Sequence, residues 1–156
     1  MKTNGSRKSP FANVHQIGVI VANMDEAVAF YEELGIGPFQ ELKGTATIER
    51  QVYGKPAPDV SNRVSTAQMG AVQFEIVQPI SGRSVQREYL ERRGEGVNHL
   101  GFLVDHLDEE VAQLTEKGFQ VISSGKTIDG GASAYLSTDK IGGVIFELIQ
   151  EARNGR

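Results

Sequence analysis

Two stretches of the chain share one alternation of apolar and polar residues. QIGVIVANMDEAVAFYEELG, starting at Gln16, aligns without gaps with HLGFLVDHLDEEVAQLTEKG, starting at His99, at a constant offset of 99 − 16 = 83. Each reads as a short apolar strand, then an amphipathic helix, then a glycine. Asn23 with Glu26 three residues on predicts a capping box, and Gly35 and Gly118 fall where a left-handed helix end belongs. Ala27, Val28, Tyr31 and Leu34 form one apolar stripe, and Leu107, Val111 and Leu114 form its counterpart. A second pair repeats as well: VQFEIVQ from Val72 matches VIFELIQ from Val144, at an offset of 144 − 72 = 72. The two halves are therefore copies that differ in loop length.

Further strands are predicted near Thr45 to Gln51, Arg63 to Gln68, Gln120 to Ser123 and Ser133 to Ser137, with turns at Met69–Gly70 and Ile141–Gly143. The result is strand, helix and three strands, twice. The predicted layout is a tail over 1–12, a first βαβββ module over 13–80, a joining helix over 81–96, a second module over 97–150 and a tail over 151–156.

Alternation along the strands decides which polar residues share a face. Ile17, Val19 and Val21 point one way, as do Leu100, Phe102 and Val104, giving an apolar face that carries a helix. The opposite face holds Gln16 and Gly18 in one copy, His99 and Gly101 in the other. Glycine beside a polar group leaves room for a ligand or marks a bulge. In the closing strands Phe74 and Ile76 match Phe146 and Leu148, which leaves Glu75 and Glu147 equivalent on the other face.

A carboxylate inside an apolar run needs a cation. For a single strand glutamate the partner would be a structural arginine such as Arg63. Two equivalent glutamates, with Gln16 and His99 at equivalent places, favour a divalent metal instead, held by Gln16, Glu75, His99 and Glu147. His15 is the alternative first ligand, since imidazole is a better donor than an amide. Unbroken alternation turns it toward Ile17 and Val19; a bulge would reverse that. His106, before the second helix, reads as a surface or capping residue.

Composition narrows the chemistry. The 156 residues suit one domain. There is no cysteine, which removes disulfides, thiolate ligands and cysteine nucleophiles, so any metal takes nitrogen and oxygen donors. The net charge of −4 argues against a nucleic-acid partner. No apolar run is long enough for a signal peptide or membrane span, so a cytoplasmic protein without a membrane partner is expected. The basic stretch from Arg83 to Arg93 is interleaved with Glu88 and Glu91 and reads first as a solvated helix.

These residues, from Val14 to Gln150, resemble the vicinal oxygen chelate superfamily, which includes glyoxalase I (lactoylglutathione lyase), methylmalonyl-CoA epimerase, extradiol dioxygenases and bleomycin-resistance proteins. RRGEGVNHLGFLVDHLDEEVAQLTEKG and GGVIFELIQ are especially like the epimerase. The resemblance implies an α+β fold in which tandem βαβββ modules form a curved mixed sheet of about eight strands around a cleft, with the helices outside. It places the ligands at Gln16, Glu75, His99 and Glu147, a set closest to some glyoxalase I enzymes. It also implies a homodimer and a divalent ion such as Zn, Ni, Co or Mn. One departure stands out: some epimerases carry an additional acid on the third strand of the first half, which here reads SNRVSTAQMG.

The expected chemistry is proton transfer next to a carbonyl, with a thioester, hemithioacetal or 2-oxo compound as substrate and the metal as Lewis acid. Glu147, between Ile145 and Ile149, is the first choice for the base, and Glu75 is the second acid–base group. Arg63, Arg83, Arg87, Arg92 and Arg93 are candidate contacts for a substrate carboxylate or CoA phosphate. The competing readings are oxygen chemistry at Fe(II), as in extradiol dioxygenases, and a metal-free small-molecule binding or resistance module. Gln16 and Glu75 argue against the first of these, which uses two histidines and one carboxylate.

Overall fold

Asn23 begins the first helix of the computed structural model, which describes residues 8–43 and 47–152. Its side-chain oxygen accepts from the backbone N–H groups of Asp25 and Glu26 at 3.0 and 3.2 Å, the N-cap half of the expected box. This helix, α1, spans Met24–Glu33 and follows strand β1, Gln16–Ile20. It stops where Gly35 adopts φ +87°, and its counterpart α3, Leu107–Glu116, stops before Gly118 at φ +93°. His106 takes the N-cap place of α3 without a capping bond from its side chain.

The remaining elements are β2 (Gln40–Glu41), β3 (Thr47–Val52), β4 (Lys55–Pro56), β5 (Ser61–Met69), β6 (Val72–Ser81), α2 (Val85–Arg93), β7 (Gly96–Leu103), β8 (Val121–Thr127), β9 (Ala132–Leu136) and β10 (Ile145–Gln150). The expected start of the second strand at Thr45 lies outside the described residues. Among the described residues ten strands form where about eight were expected, because two-residue pairings at Gln40–Glu41 and Lys55–Pro56 add short edges to the repeat. They join one sheet in the order β2-β5-β6-β1-β7-β10-β9-β8-β3-β4. Among the described residues no helix is long and apolar enough to cross a membrane.

Duplication is visible at the centre of the sheet. β1 pairs antiparallel with β7, and each runs parallel to the closing strand of its own half, β6 or β10. Gln16 faces Gly101 and Gly18 faces His99 across the central pair. Immediately afterwards the register slips, Val19 facing Val97, so a bulge lies beside His99.

Each helix covers its own half. Val19, Val21, Phe74 and Ile76 pack with Ala27, Val28 and Tyr31 of α1, while Phe102, Leu136 and Leu148 pack with Leu107, Val111 and Leu114 of α3. Leu34 departs from the expected stripe: it is 64% exposed, and Ile36, after the glycine, packs against the first core instead. The connection of the halves has a second part. β3, from the first half, pairs with β8 of the second, placing Arg50 opposite Gly125.

Candidate metal centre

The convex face carries the helices, so what faces the concave side is set by the alternate positions. His99 is wholly buried, and Gln16, Glu75 and Glu147 are 5, 8 and 5% exposed. Their tips meet at one point. His99 Nε2 lies 3.1 Å from Gln16 Oε1, 3.4 Å from Glu75 Oε1 and 3.3 Å from Glu147 Oε2. Gln16 Nε2 donates to Glu75 Oε2 at 3.0 Å and to Gln73 Oε1 at 2.8 Å. On the other edge of the imidazole, Nδ1 stands 3.2 Å from Asn98 Oδ1.

Glycines make this convergence possible, in a different way from the ligand space expected of them. A Cβ on Gly18 would stand 1.9 Å from His99 Cε1, and one on Gly101 would stand 3.0 Å from Gln16 Cβ and 3.1 Å from its Oε1. Each glycine thus makes room for the polar side chain of the other half. The space beside the polar residue is filled by its partner.

The electrostatics follow from burying two carboxylates beside an imidazole. Burial by itself lowers the basicity of His99, but the hydrogen bond to Glu75 and the charges of Glu147 and Glu75 outweigh it, and its pKa is raised. Both ring nitrogens then face oxygen acceptors as donors, the arrangement of an imidazolium. Burial, followed by the Glu75 charge, pushes Glu147 up to about 7 against the lowering effects of His99, Ser133 and Tyr135. Tyr135 sits opposite Glu147 in the sheet and turns its ring edge to His99, with centroids 5.2 Å apart. Burial first, then the two glutamate charges, keep its phenol protonated far above the usual range.

One imidazole nitrogen, one amide oxygen and two carboxylates suit a borderline or hard divalent cation. Donors about 2.1 Å from an ion and at right angles stand about 3.0 Å apart, close to the spacing found here. Glu147 Oε2 is buried and forms no hydrogen bond, its contact in the cluster being the ion-pair approach of His99 Nε2 at 3.3 Å. Among the described residues no three histidine, aspartate or glutamate side chains already surround an ion-sized gap. Here the tips bond to one another, with the imidazole nitrogen at their meeting point, so an ion would have to part them. The chemistry of the donors fits a divalent cation.

Beside the cluster lies a cavity of about 420 Å³, lined by Gln16, Glu75, Glu147, Gln73, Arg50 and Ser133 among others. His15 also lines it, but the four residues that converge on one point do not include it. The expected arginines are elsewhere. Arg63 projects from the helix-bearing face, bound to Glu41 at 2.8 Å and Asp25 at 3.1 Å, whereas its strand neighbour Thr66 is the residue opposite Glu75. It is therefore not the cation of Glu75. Arg83 is exposed beside Glu88, Arg87 donates to Gly82 O, and Arg92 and Arg93 line a separate small cavity with Tyr53 and Asp139. Tyr135, Ser133, Asn98 and Arg50 were not singled out in the sequence, because strand pairing across the halves, not spacing along the chain, brings them to the site.

The architecture and its comparisons define the class. The sequence matches the Glyoxalase/Bleomycin resistance protein/Dioxygenase superfamily over residues 15–135, and the chain belongs to that superfamily. It is 28% identical over 137 residues to the uncharacterized protein YqjC of Bacillus subtilis (strain 168), covering 86% of this chain and 89% of that one. Among solved structures it is similar to methylmalonyl-CoA epimerase from Mycobacterium tuberculosis, at 21% identity and a TM-score of 0.66, over 90% of this chain and 88% of the other. The Streptomyces coelicolor methylmalonyl-CoA epimerase in complex with 2-nitronate-propionyl-CoA is 22% identical, with a TM-score of 0.62, over 90 and 97% of the two chains. These likenesses establish the shared fold.

Proposed function

We propose that this protein is a divalent-metal-dependent enzyme that moves a proton next to a carbonyl or thioester, in the manner of an epimerase or a glyoxalase. The observation that carries the reading is the meeting of three oxygen donors from both halves on His99 Nε2, at 3.1 to 3.4 Å. Gln16, Glu75, His99 and Glu147 would hold the ion. When bound, it supplies Lewis-acid polarisation of the substrate carbonyl, which acidifies the neighbouring C–H.

The chain's own residues do the rest. Glu147 takes the proton at a carboxylate oxygen; its buried setting between Ile145 and Ile149 favours the protonated form and so makes it a stronger base than a solvated carboxylate. Tyr135, opposite Glu147 in the sheet, and Ser133 both act to lower the pKa of that carboxylate, against its burial. Glu75, from the other half, offers a second proton donor, which an epimerisation requires and an isomerisation does not. Asn98 fixes the ring of His99 through Nδ1. The neighbours named as epimerases favour a thioester substrate, and the missing acid on β5 leaves a hemithioacetal or 2-oxo compound in contention.

Incubating metal-loaded protein in D2O with acyl-CoA thioesters and hemithioacetals tests this directly. Deuterium enters the carbon next to the carbonyl of at least one substrate, and Glu147→Gln lowers that exchange by two or more orders of magnitude while leaving the fold unchanged. Exchange undiminished in the variant removes Glu147 from the role of base. Failure of the protein to retain Zn, Ni, Co or Mn favours the metal-free binding module, a reading to which the mutually satisfied tips of Gln16 and His99 lend weight.

A further inference from the structure

Among the described residues the guanidinium of Arg50, on the wall of the cavity beside the cluster, is paired with no carboxylate. Arg50 is half-buried on β3, lines the cavity beside the cluster, and donates to Val60 O at 2.8 Å and Thr47 Oγ1 at 3.4 Å. Both acceptors are neutral. A guanidinium has five N–H donors in a planar fork, so the remaining ones stay available for a bidentate oxyanion. Neighbouring cations differ: Lys126 pairs with Glu49 at 3.5 Å, and Arg63 with Asp25 and Glu41. Among the described residues no carboxylate pairs with Arg50.

The sheet register leaves space in front of it. Arg50 lies opposite Gly125, Gly125 opposite Ser133, and Ser133 opposite Ile149, and all four line the cavity. A Cβ on Gly125 would find only Glu49 O, at 3.9 Å. This row runs toward β10, where Glu147 lies two residues from Ile149 on the same face. Lys126, one residue on from Gly125, also lines the cavity, but its charge is already met by Glu49 at 3.5 Å. Three strand spacings of about 4.8 Å separate β3 from β10, and the curl of the sheet and the length of the arginine shorten the path to on the order of 10 Å.

The geometry points to Arg50 as the residue that selects the substrate: a molecule with a carboxylate or phosphate oxyanion on the order of 10 Å from the carbonyl held at the cluster. The inference rests on the proposed reading for what lies at the cluster end, but the oxyanion contact itself does not need a metal. It explains why β3 leaves its own half. Pairing with β8 brings Arg50 to the cavity beside the cluster; its bond to Val60 O ties one arm of the fork to the edge of a second cavity lined by Ala57, Pro58 and Val60, and leaves the other donors for the first.

The test separates the two ends of the site. In metal-free protein with chelator present, the Arg50 side-chain Nε–H resonance is followed while nonanedioate, its diamide or 8-phosphonooctanoate, each long enough to span the site, is added. The resonance moves with the dianions and stays still with the diamide; the stronger of the two anion responses names a carboxylate or a phosphate tail. In metal-loaded protein the preferred dianion binds at least tenfold more tightly than its neutral-tailed analogue, and Arg50→Gln reduces that ratio to below about twofold. Should Arg50→Gln fail to fold, Gly125→Val, which fills the space without removing the charge, abolishes the preference instead. An Arg50 signal indifferent to both anions, or a charge preference that survives the substitutions, overturns the inference. If the chain binds no metal yet the Arg50 signal responds, the anion site stands and the proposed metal chemistry falls.

Discussion

At the residue scale, Gly18 and Gly101 are the hinge of the site. The sequence repeats Gln-x-Gly as His-x-Gly, which marks four positions for attention, and those positions do share one face with the two glutamates. What the glycines are for was not readable there. Their role depends on the cross-strand pairing of Gly18 with His99 and Gln16 with Gly101, a long-range register that no local pattern carries. Gly18→Ala drives a methyl into the imidazole. Overpacking of this kind typically costs about 1–3 kcal/mol, and here it also displaces a proposed ligand. Urea denaturation and metal titration of the variant therefore show lower stability and weaker metal binding together. Gly101→Ala meets the tip of Ile149, which can swing aside, but also Gln16 Cβ at 3.0 Å, which is tied to its strand, so the smaller overlap still lowers stability.

The proton inventory at the same residues fixes a pH dependence. Without metal, His99 has a raised pKa and Glu147 is pushed up to about 7. Their lone pairs are thus protonated over the acid side of neutrality, and a cation must displace protons to bind. Apparent metal affinity consequently falls as pH drops below about 7 and levels off above the folded-state values. Calorimetry in buffers of different ionisation enthalpy measures net proton release at neutral pH; uptake, or no transfer at all, contradicts the imidazolium assignment.

At the element scale, local chemistry was the most legible. Both helix starts, both glycine ends and the two closing strands were evident from short-range pattern, because capping and amphipathic spacing act within a few residues. The two-residue strands were not, since pairing, not propensity, creates them. Leu34 was placed in the stripe by its spacing, yet it falls at the helix end, where the chain turns outward. Arg63 was misread for a related reason: without the pairing of Thr66 with Glu75, nothing shows that Arg63 projects on the reverse side. Two substitutions follow from these contacts. Asn23→Ala removes the acceptor for two helix-start N–H groups and lowers stability by about 1 kcal/mol. Arg63→Ala frees β5 from α1 and β2, lowering the melting temperature slightly while deuterium exchange continues at the wild-type rate; a large drop in exchange would return Arg63 to the site.

At the scale of the whole molecule, duplication might be expected to yield two independent folding units, each with its own helix and core. Three contacts oppose that. β1 and β7 share a ladder, β3 of the first half closes the free edge of β8 in the second, and the buried cluster draws Gln16 and Glu75 from one half against His99 and Glu147 from the other. Separating the halves would expose two strand edges and strip a buried carboxylate of its cation, a large penalty beside the stability of a module that size. Unfolding is therefore one cooperative transition: urea curves from far-ultraviolet circular dichroism, which reports α1, α2 and α3 together, coincide with those from fluorescence of the four tyrosines in this tryptophan-free chain. A metal present at a hundredfold excess over its dissociation constant raises the unfolding free energy by about 2.7 kcal/mol, and because the proposed ligands come from both halves, it shifts the two curves by the same amount. Two separated transitions, with metal moving only one, would show that the halves fold apart and that a single module holds the ion.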